Sequence, residues 1–363
     1  MENAIPLFKR YPALAEKLPY AHLGNFPTPF RKLENLGKQI GLDSLYMKDD
    51  GLISNYYGGN KVRKLEFLLG ESLQKNKQGV ITFGFAGSNH AAATAVYASL
   101  LGLKCVSILI HQPNANYVRQ NLLVGQHYGA EMHLYKNVFF AIAGALRQCL
   151  KHEKLMIIPP GGSSALGAIG YVNAAFELLE QIENGMPKPD KIYVALGSMG
   201  TTAGLITGIK AAGLEIEVIP VCVVNKIFAN EKKLKRLAEK TSSMLHSLDN
   251  SFPEIKLDRN SVKLRHEFLG KGYAVFTKEG ADAVIAAEKT EGIKLEGTYT
   301  GKTLSAIISD APQLASKNVL FWNTCNSIDL TGIISGEDYR NLERRFHIYF
   351  ETDVHQLDIS QSD

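Results

Sequence analysis

Five segments place glycine beside hydroxyl, amide or basic side chains, and that combination suits the capture of a small anionic molecule. In GSMGTTAG (197–204), Gly197, Gly200 and Gly204 allow close backbone approach. Ser198, Thr201 and Thr202 flank Met199 and add donors, which is the chemistry of a phosphate cradle. The segment matches neither GxxxxGK[ST] nor GxGxxG, and a tight strand-to-helix turn is the competing reading. AGSNHAAA (86–93) starts a helix with Ser88, Asn89 and His90. Its free backbone N–H groups suit a carboxylate, and an ordinary N-cap by Ser88 or Asn89 is the alternative. PPGGSSALGAIGY (159–171), which contains Gly162, repeats the pattern, and LEGTYTGKT (295–303) brings Glu296, Tyr299 and Thr300 into a turn before a helix. In GGNKVRKLE (58–66), Asn60 precedes a helix on which Lys61 falls within the apolar arc of Val62, Leu65, Leu68 and Leu69, while Arg63 and Glu66 point the other way. Burying a charged lysine without a partner is costly. Lys61 is therefore paired, snorkelling or chemically used. Five such loops and an inward lysine point to one polar cleft.

The elements that position these loops alternate. Strands are expected at 79–85, 104–110, 155–159, 191–196, 217–224 and 318–323, as nearly continuous apolar runs typical of parallel strands covered on both faces. Helices are expected at 91–102, 117–128, 139–152, 166–184, 202–212, 231–246 and 278–291. The alternation implies right-handed crossovers and open parallel sheets, an α/β fold. In such sheets ligands bind beyond the carboxyl ends of the strands, where the glycine-rich loops lie. Residues 250–263 read as a loop, and the charged stretch after Thr331 has no clear pattern.

Composition narrows the function classes. The 363 residues are 45% hydrophobic and 21% charged, with a net charge of +4, which excludes dominant disorder. A chain this long buries roughly three quarters of its unfolded surface and usually forms two domains. The small charge excess is not a nucleic-acid footprint. The basic cluster EKKLKRLAEK (231–240) is interleaved with glutamate and reads as a solvated helix face. No apolar run approaches the roughly 18 residues of a membrane span, and the first residues lack the pattern of a signal peptide. Cys105, Cys149, Cys222 and Cys325 contain no CxxC pair, so no metal site is expected and a reducing, cytoplasmic setting fits.

Taken together, the loops resemble the pyridoxal-phosphate enzymes of the tryptophan-synthase β fold type. Within that group the chain resembles the D-cysteine desulfhydrase and 1-aminocyclopropane-1-carboxylate deaminase family. The likeness runs from FPTPF (26–30) and MKDDG (47–51) to Trp322–Thr324, and GGNKVRKLE, GGSSALGAIGY and TYTGK carry it most specifically. It implies two three-layer α/β/α domains with pyridoxal 5'-phosphate in the cleft between them. The larger, cofactor-binding domain would comprise residues 1–53 and 161–340, and the smaller, substrate-carboxylate domain residues 54–160, with 341–363 as a tail. A homodimer is implied as well.

Position by position, the resemblance makes Lys61 the Schiff-base lysine and Asn60 a neighbour of the cofactor's ring hydroxyl. Gly197, Ser198, Met199, Gly200, Thr201 and Thr202 become the phosphate loop, and Thr324 the neighbour of the pyridine nitrogen. Ser88, Asn89, His90, Gly162 and Thr300 face the substrate, a small amino acid. Tyr273 and Tyr299 are active-site tyrosines, and Ser88 or Tyr299 acts near the reacting carbons. The implied chemistry removes the α-proton with the freed Lys61 amine and expels a β-substituent, leaving pyruvate and ammonia. Deaminases that open a cyclopropane ring typically carry glutamate after the tyrosine, and desulfhydrase-like members carry threonine. Thr300 therefore points to β-elimination, with D-cysteine as the expected substrate. Ring opening, racemisation or dehydration, and a regulatory cofactor-binding role are the other readings. The chain departs from the family pattern at Ala91, Ala92 and Ala93, where a VRQ-like run is usual. It also departs at Asn323–Asn326, where HTGG is usual, and at Leu295–Gly297, where LDP is usual.

Overall fold

The computed structural model describes residues 4–152, 154–258 and 261–359. Two residues of the expected loop at 250–263 and the last four of the tail lie outside them. Among the described residues, nine strands form two sheets. Strands β1 (Phe30–Lys32), β2 (Leu45–Asp49), β7 (Lys191–Leu196), β8 (Glu217–Cys222) and β9 (Val319–Asn323) make a sheet of order β1-β2-β9-β7-β8. Only the edge pair β1/β2 is antiparallel in it. Strands β3 (Gly79–Phe85), β4 (Lys104–Ile110), β5 (Glu131–Tyr135) and β6 (Leu155–Ile157) make an all-parallel sheet of order β5-β4-β3-β6.

The expected strands are all present, and the helices at 89–100, 116–127, 138–151, 165–183 and 200–211 begin one or two residues before their expected starts. Three of these starts are fixed by capping: Ser88, Asn137 and Ser164 accept backbone N–H bonds three residues on. Strands β1, β2 and β5 escaped the apolar-run criterion. β1 is a three-residue edge, β5 is an edge strand of mixed composition, and β2 (LYMKD) carries Lys48 and Asp49 into the interior.

Each sheet has a point where the chain reverses its direction of growth. In the four-stranded sheet, β4 lies on one side of β3 and β6 on the other; in the five-stranded sheet, β8 and β9 flank β7. Loops leaving adjacent strands in opposite directions open a crevice there. The 86–88 loop follows β3, the Pro160–Gly162 turn follows β6, and the 197–199 loop follows β7.

The helix Lys61–Gln74 departs from its simple wheel. Arg63 and Glu66 do lie opposite the apolar arc, but that face is also buried. Arg63 bonds Asp50 Oδ1 at 2.8 and 3.0 Å and Glu177 at 2.9 and 3.0 Å. Lys48 Nζ reaches Glu177 Oε1 at 2.5 Å and the Thr28 hydroxyl at 2.7 Å. The Tyr171 hydroxyl and Trp322 Nε1 both donate to Asp50 Oδ2, the latter at 2.8 Å. Two cations thus meet two carboxylates with their hydrogen-bonding capacity largely satisfied, the condition under which buried charge is tolerated.

The chain after Thr331 is not free. Asn114 Nδ2 and Arg119 Nε donate to the Tyr349 carbonyl at 2.9 and 2.8 Å, and Phe346 is buried against Leu109 and Leu134. This segment therefore packs on the four-stranded sheet.

Arg63→Met should lower stability by about 3–5 kcal/mol in denaturant unfolding, because it leaves two buried carboxylates with only Lys48. Burial alone would raise the Glu177 pKa, but Arg63 and Lys48 outweigh it and hold the carboxyl at about 2. Its contribution should be complete above the unfolded value of 4.5 and be lost as pH falls toward 2.

Candidate functional site

The loops at both crevices open onto one cavity of about 670 Å³. Asn60, Lys61, Ser88, Asn89, His90 and Thr324 line it. So do Gly197, Ser198, Met199, Thr201, Thr202, Tyr273 and Tyr299.

Lys61 opens its helix, and its amine donates to Asn60 Oδ1 at 2.8 Å. Asn60 Nδ2 in turn donates to Thr201 Oγ1 at 2.9 Å, and its backbone N–H to the Thr324 carbonyl at 3.2 Å. Gly59 makes this approach possible. Its φ is +91°, and a Cβ there would lie 2.8 Å from the Thr324 oxygen. Burial lowers the Lys61 pKa to about 8, against an opposing pull from Glu296.

The 197–202 segment forms a concave turn. Met199 has φ +71°, a strained value for a non-glycine residue, and the helix Gly200–Ala211 starts immediately after it. Ser163 Oγ donates to Ser198 Oγ at 2.8 Å and accepts from the Gly200 N–H at 3.1 Å. The buried Thr202 hydroxyl has no partner. Lys64 also enters here. Its amine donates to the Gly161 carbonyl at 3.2 Å, and a Cβ on Gly200 would stand 3.1 Å from it. Burial and the charge of Lys61 put the Lys64 pKa well below the ordinary value. A helix start, hydroxyls and a buried amine beside an open cavity have the chemistry of a phosphate site. These residues fit the phosphate of a pyridoxal phosphate.

At the helix Asn89–Leu100, Ser88 caps the start through a 3.2 Å bond from Ala91 N. The Asn89 carbonyl oxygen accepts from Asn121 at 2.7 Å. His90 is 1% exposed with both ring nitrogens unpartnered. Its pKa is driven well down by burial, then by Lys61 and Lys64. Across the cavity the Tyr273 and Tyr299 hydroxyls lie 2.8 Å apart, both raised above the usual phenol value mainly by burial.

Three expected residues are placed elsewhere. Thr300 is buried with its hydroxyl on Glu296 Oε1 at 3.1 Å, away from the cavity wall. Gly162 stands behind the wall, where a Cβ would meet His90 Cε1 at 3.2 Å. Gly200 acts through its backbone N–H beneath Ser163. In each case local turn geometry takes the residue off the surface that sequence proximity suggested.

Lys64, Glu296 and Cys325 line the wall without a site role assigned to them from the sequence. Lys64 is one turn from Lys61 on the same helix, and the KVRK spacing carried that signal. Glu296 accepts backbone N–H bonds from Thr298, Tyr299 and Thr300 at 2.7, 2.9 and 2.8 Å, which holds the tyrosine turn in shape. Cys325 adds a thiol whose pKa burial raises well above normal; it lies in the Asn323–Asn326 departure from the HTGG pattern.

Comparisons with known proteins agree with this geometry. A family profile described as "Pyridoxal-phosphate dependent enzyme" matches residues 21–324. A Pyrococcus abyssi protein named "Putative 1-aminocyclopropane-1-carboxylate deaminase" is 32% identical over 319 residues, 86% of this chain and 93% of the relative. The D-cysteine desulfhydrase of Salmonella typhi is 31% identical over 305 residues, 82% of this chain and 90% of the relative. A crystal structure of an ACC deaminase homologue superposes with a TM-score of 0.75 at 31% identity, covering 91% of this chain and 98% of the other. Threonine deaminase isoform 2 from Solanum lycopersicum shares the fold, with a TM-score of 0.60 at 15% identity. The chain belongs to the pyridoxal-phosphate dependent enzymes.

Proposed function

We propose that this enzyme is a lyase that expels the β-substituent of a small amino acid, with D-cysteine as the reference substrate, yielding pyruvate, ammonia and hydrogen sulfide. One observation carries the reading. The lowered amine of Lys61 faces a cavity that has the Gly200 helix start on one side and the Asn89 helix start on another. Bound pyridoxal phosphate supplies an electron sink for the α carbon.

This chain's residues do the rest. The start of the Gly200–Ala211 helix beyond the N–H that Ser163 engages, with Ser198, Thr201, Thr202 and Lys64, holds the phosphate. Asn60 orients the ring hydroxyl. Thr324 offers the pyridine nitrogen a neutral partner, which disfavours a fully protonated ring and suits elimination. The Ser88 hydroxyl and the N–H groups of Asn89 and His90 receive the substrate carboxylate, the Ser88 N–H being held by the Phe85 carbonyl. Lys61, unprotonated above about pH 8, takes the α-proton. The Tyr273–Tyr299 pair stands where a proton can be passed to the leaving group, with each hydroxyl kept neutral by burial.

Residues 1–53 with 161–340 serve as the cofactor-holding body in this reading, and 54–160 as the carboxylate-holding body. The four free thiols suit a reducing cytoplasm. Among the described residues no helix is long and apolar enough to cross a membrane. The resemblance supports a homodimer.

Purified protein given pyridoxal phosphate should show a visible absorbance band that borohydride abolishes, and Lys61→Ala should lack it. Pyruvate release from D-cysteine should fall at least about a hundredfold in that variant. Release of 2-oxobutanoate from 1-aminocyclopropane-1-carboxylate, without pyruvate from D-cysteine, would replace this reading with ring opening.

Only an unprotonated amine attacks the cofactor aldehyde. Borohydride-fixed incorporation at Lys61 should therefore rise with pH, with a midpoint near 8. Glu296 raises the Lys61 pKa, so Glu296→Gln should move that midpoint lower. An unmoved midpoint would show that the carboxylate does not act on the amine.

A further inference from the structure

The cavity continues past the tyrosines into an apolar arm. One face of β3 presents Ile81, Phe83 and Phe85 in a row. The Phe85 ring packs against Tyr273 with centroids 4.5 Å apart, and Phe83 is the next wall residue away from the tyrosine. β4 sets Ile108 beside Phe83 and Ile110 beside Phe85. The helix Val138–Lys151 covers this face.

That helix is packed in an unusual sense. Its inward residues include Ala141, Gly144 and Ala145, while Phe139, Leu146 and Leu150 are 75%, 62% and 80% exposed. Bulky side chains turned inward would fill the space over β3 and β4. Gly144 makes room for the Tyr135 ring, and Ala141 leaves a space open, bounded by Phe83, Ile108, Ile110, Ala141 and Ile142. None of these five carries a charge or a hydrogen-bonding side chain. The lysines on the cavity wall, Lys61 and Lys64, belong to its other end. A thiol the size of cysteine's gains little from such a surface, and an anionic tail would find no cation in the arm. An apolar group would be removed from water there.

We propose that the physiological substrate carries an apolar substituent beyond its β carbon, as in an S-alkyl- or S-benzyl-cysteine, and that the arm receives it. The proposal rests on the β-elimination reading and extends its leaving group. In the reaction the Cβ–S bond breaks, and sulfur departs with the bonding pair and takes up a proton to become the thiol. One water is consumed as the three-carbon remainder becomes pyruvate and the nitrogen leaves as ammonia.

The test compares kcat/KM for pyruvate release from S-benzyl-D-cysteine and from D-cysteine in the holoenzyme. The expected ratio favours the benzyl compound by about tenfold or more. Ala141→Phe, which fills the arm, should reduce that ratio about tenfold. Ile142→Gln, at a position 57% exposed that folds readily with a polar residue, should reduce it too. A wild-type preference for D-cysteine, or a benzyl preference that neither substitution moves, overturns the arm and leaves the lyase reading intact. An intact cofactor band with no pyruvate from either compound removes the lyase reading. Titration of the band then decides the arm separately: perturbation by S-benzyl-D-cysteine at about tenfold lower concentration than by D-cysteine upholds it, and equal concentrations discard it.

Discussion

The buried cluster of Arg63, Asp50, Glu177 and Lys48 is the interaction on which the site depends. Arg63 is two residues from Lys61 on the same helix, so whatever fixes the guanidinium also fixes the start of that helix. Its partners come from three other places: the turn after β2, the helix Ala165–Glu183 and, through Trp322 on Asp50, strand β9. A hydrophobic contact could slide by a fraction of an ångström at little cost. A bidentate charged pair in a dry interior cannot, because misalignment leaves charge unsatisfied. The start of the Lys61 helix is therefore positioned by groups that never line the cavity, and Asn60 on the wall holds the amine.

Around that anchor, two sheets contribute by the same topological rule. Each reverses its growth at one strand, and each reversal leaves helix starts and short turns facing the same space. The Gly200 start and the Asn89 start follow strands of different sheets and face the same cavity. The wall between them is crowded with basic nitrogen: Lys61, Lys64 and His90 are all shifted toward their neutral forms by burial, and the two lysines lower His90 further. A site so rich in latent positive charge is suited to a bound phosphate and carboxylate, whose charge would offset that of the lysines. Glu296 works the other way on Lys61, and its three backbone hydrogen bonds place it rigidly enough for the effect to be specific.

Much of this was legible in the chain itself. Apolar runs of six or seven residues marked β3, β4 and β7 to the residue, because strands covered on both faces leave no room for polar positions. Glycine and hydroxyl clusters after those runs marked the loops, because a backbone that must turn sharply and bind an anion has few residue types to choose from. Lys61 stood out as a charge within an apolar arc, and the family resemblance named its cofactor.

Tertiary structure decided what no local pattern can express. Strand β2 and the far face of the Lys61 helix carry charges that are buried in space, since Lys48 and Arg63 both pair with Glu177, 129 and 114 residues away in the chain. Thr300 and Gly162 sit in the right segments but face away from the cavity, because the turn around Glu296 and the packing against His90 set their directions. The Val138–Lys151 helix has the composition of a core helix and turns its alanines and glycine inward. Periodicity reports which residues share a face, and only packing against a particular neighbour settles which face is inside.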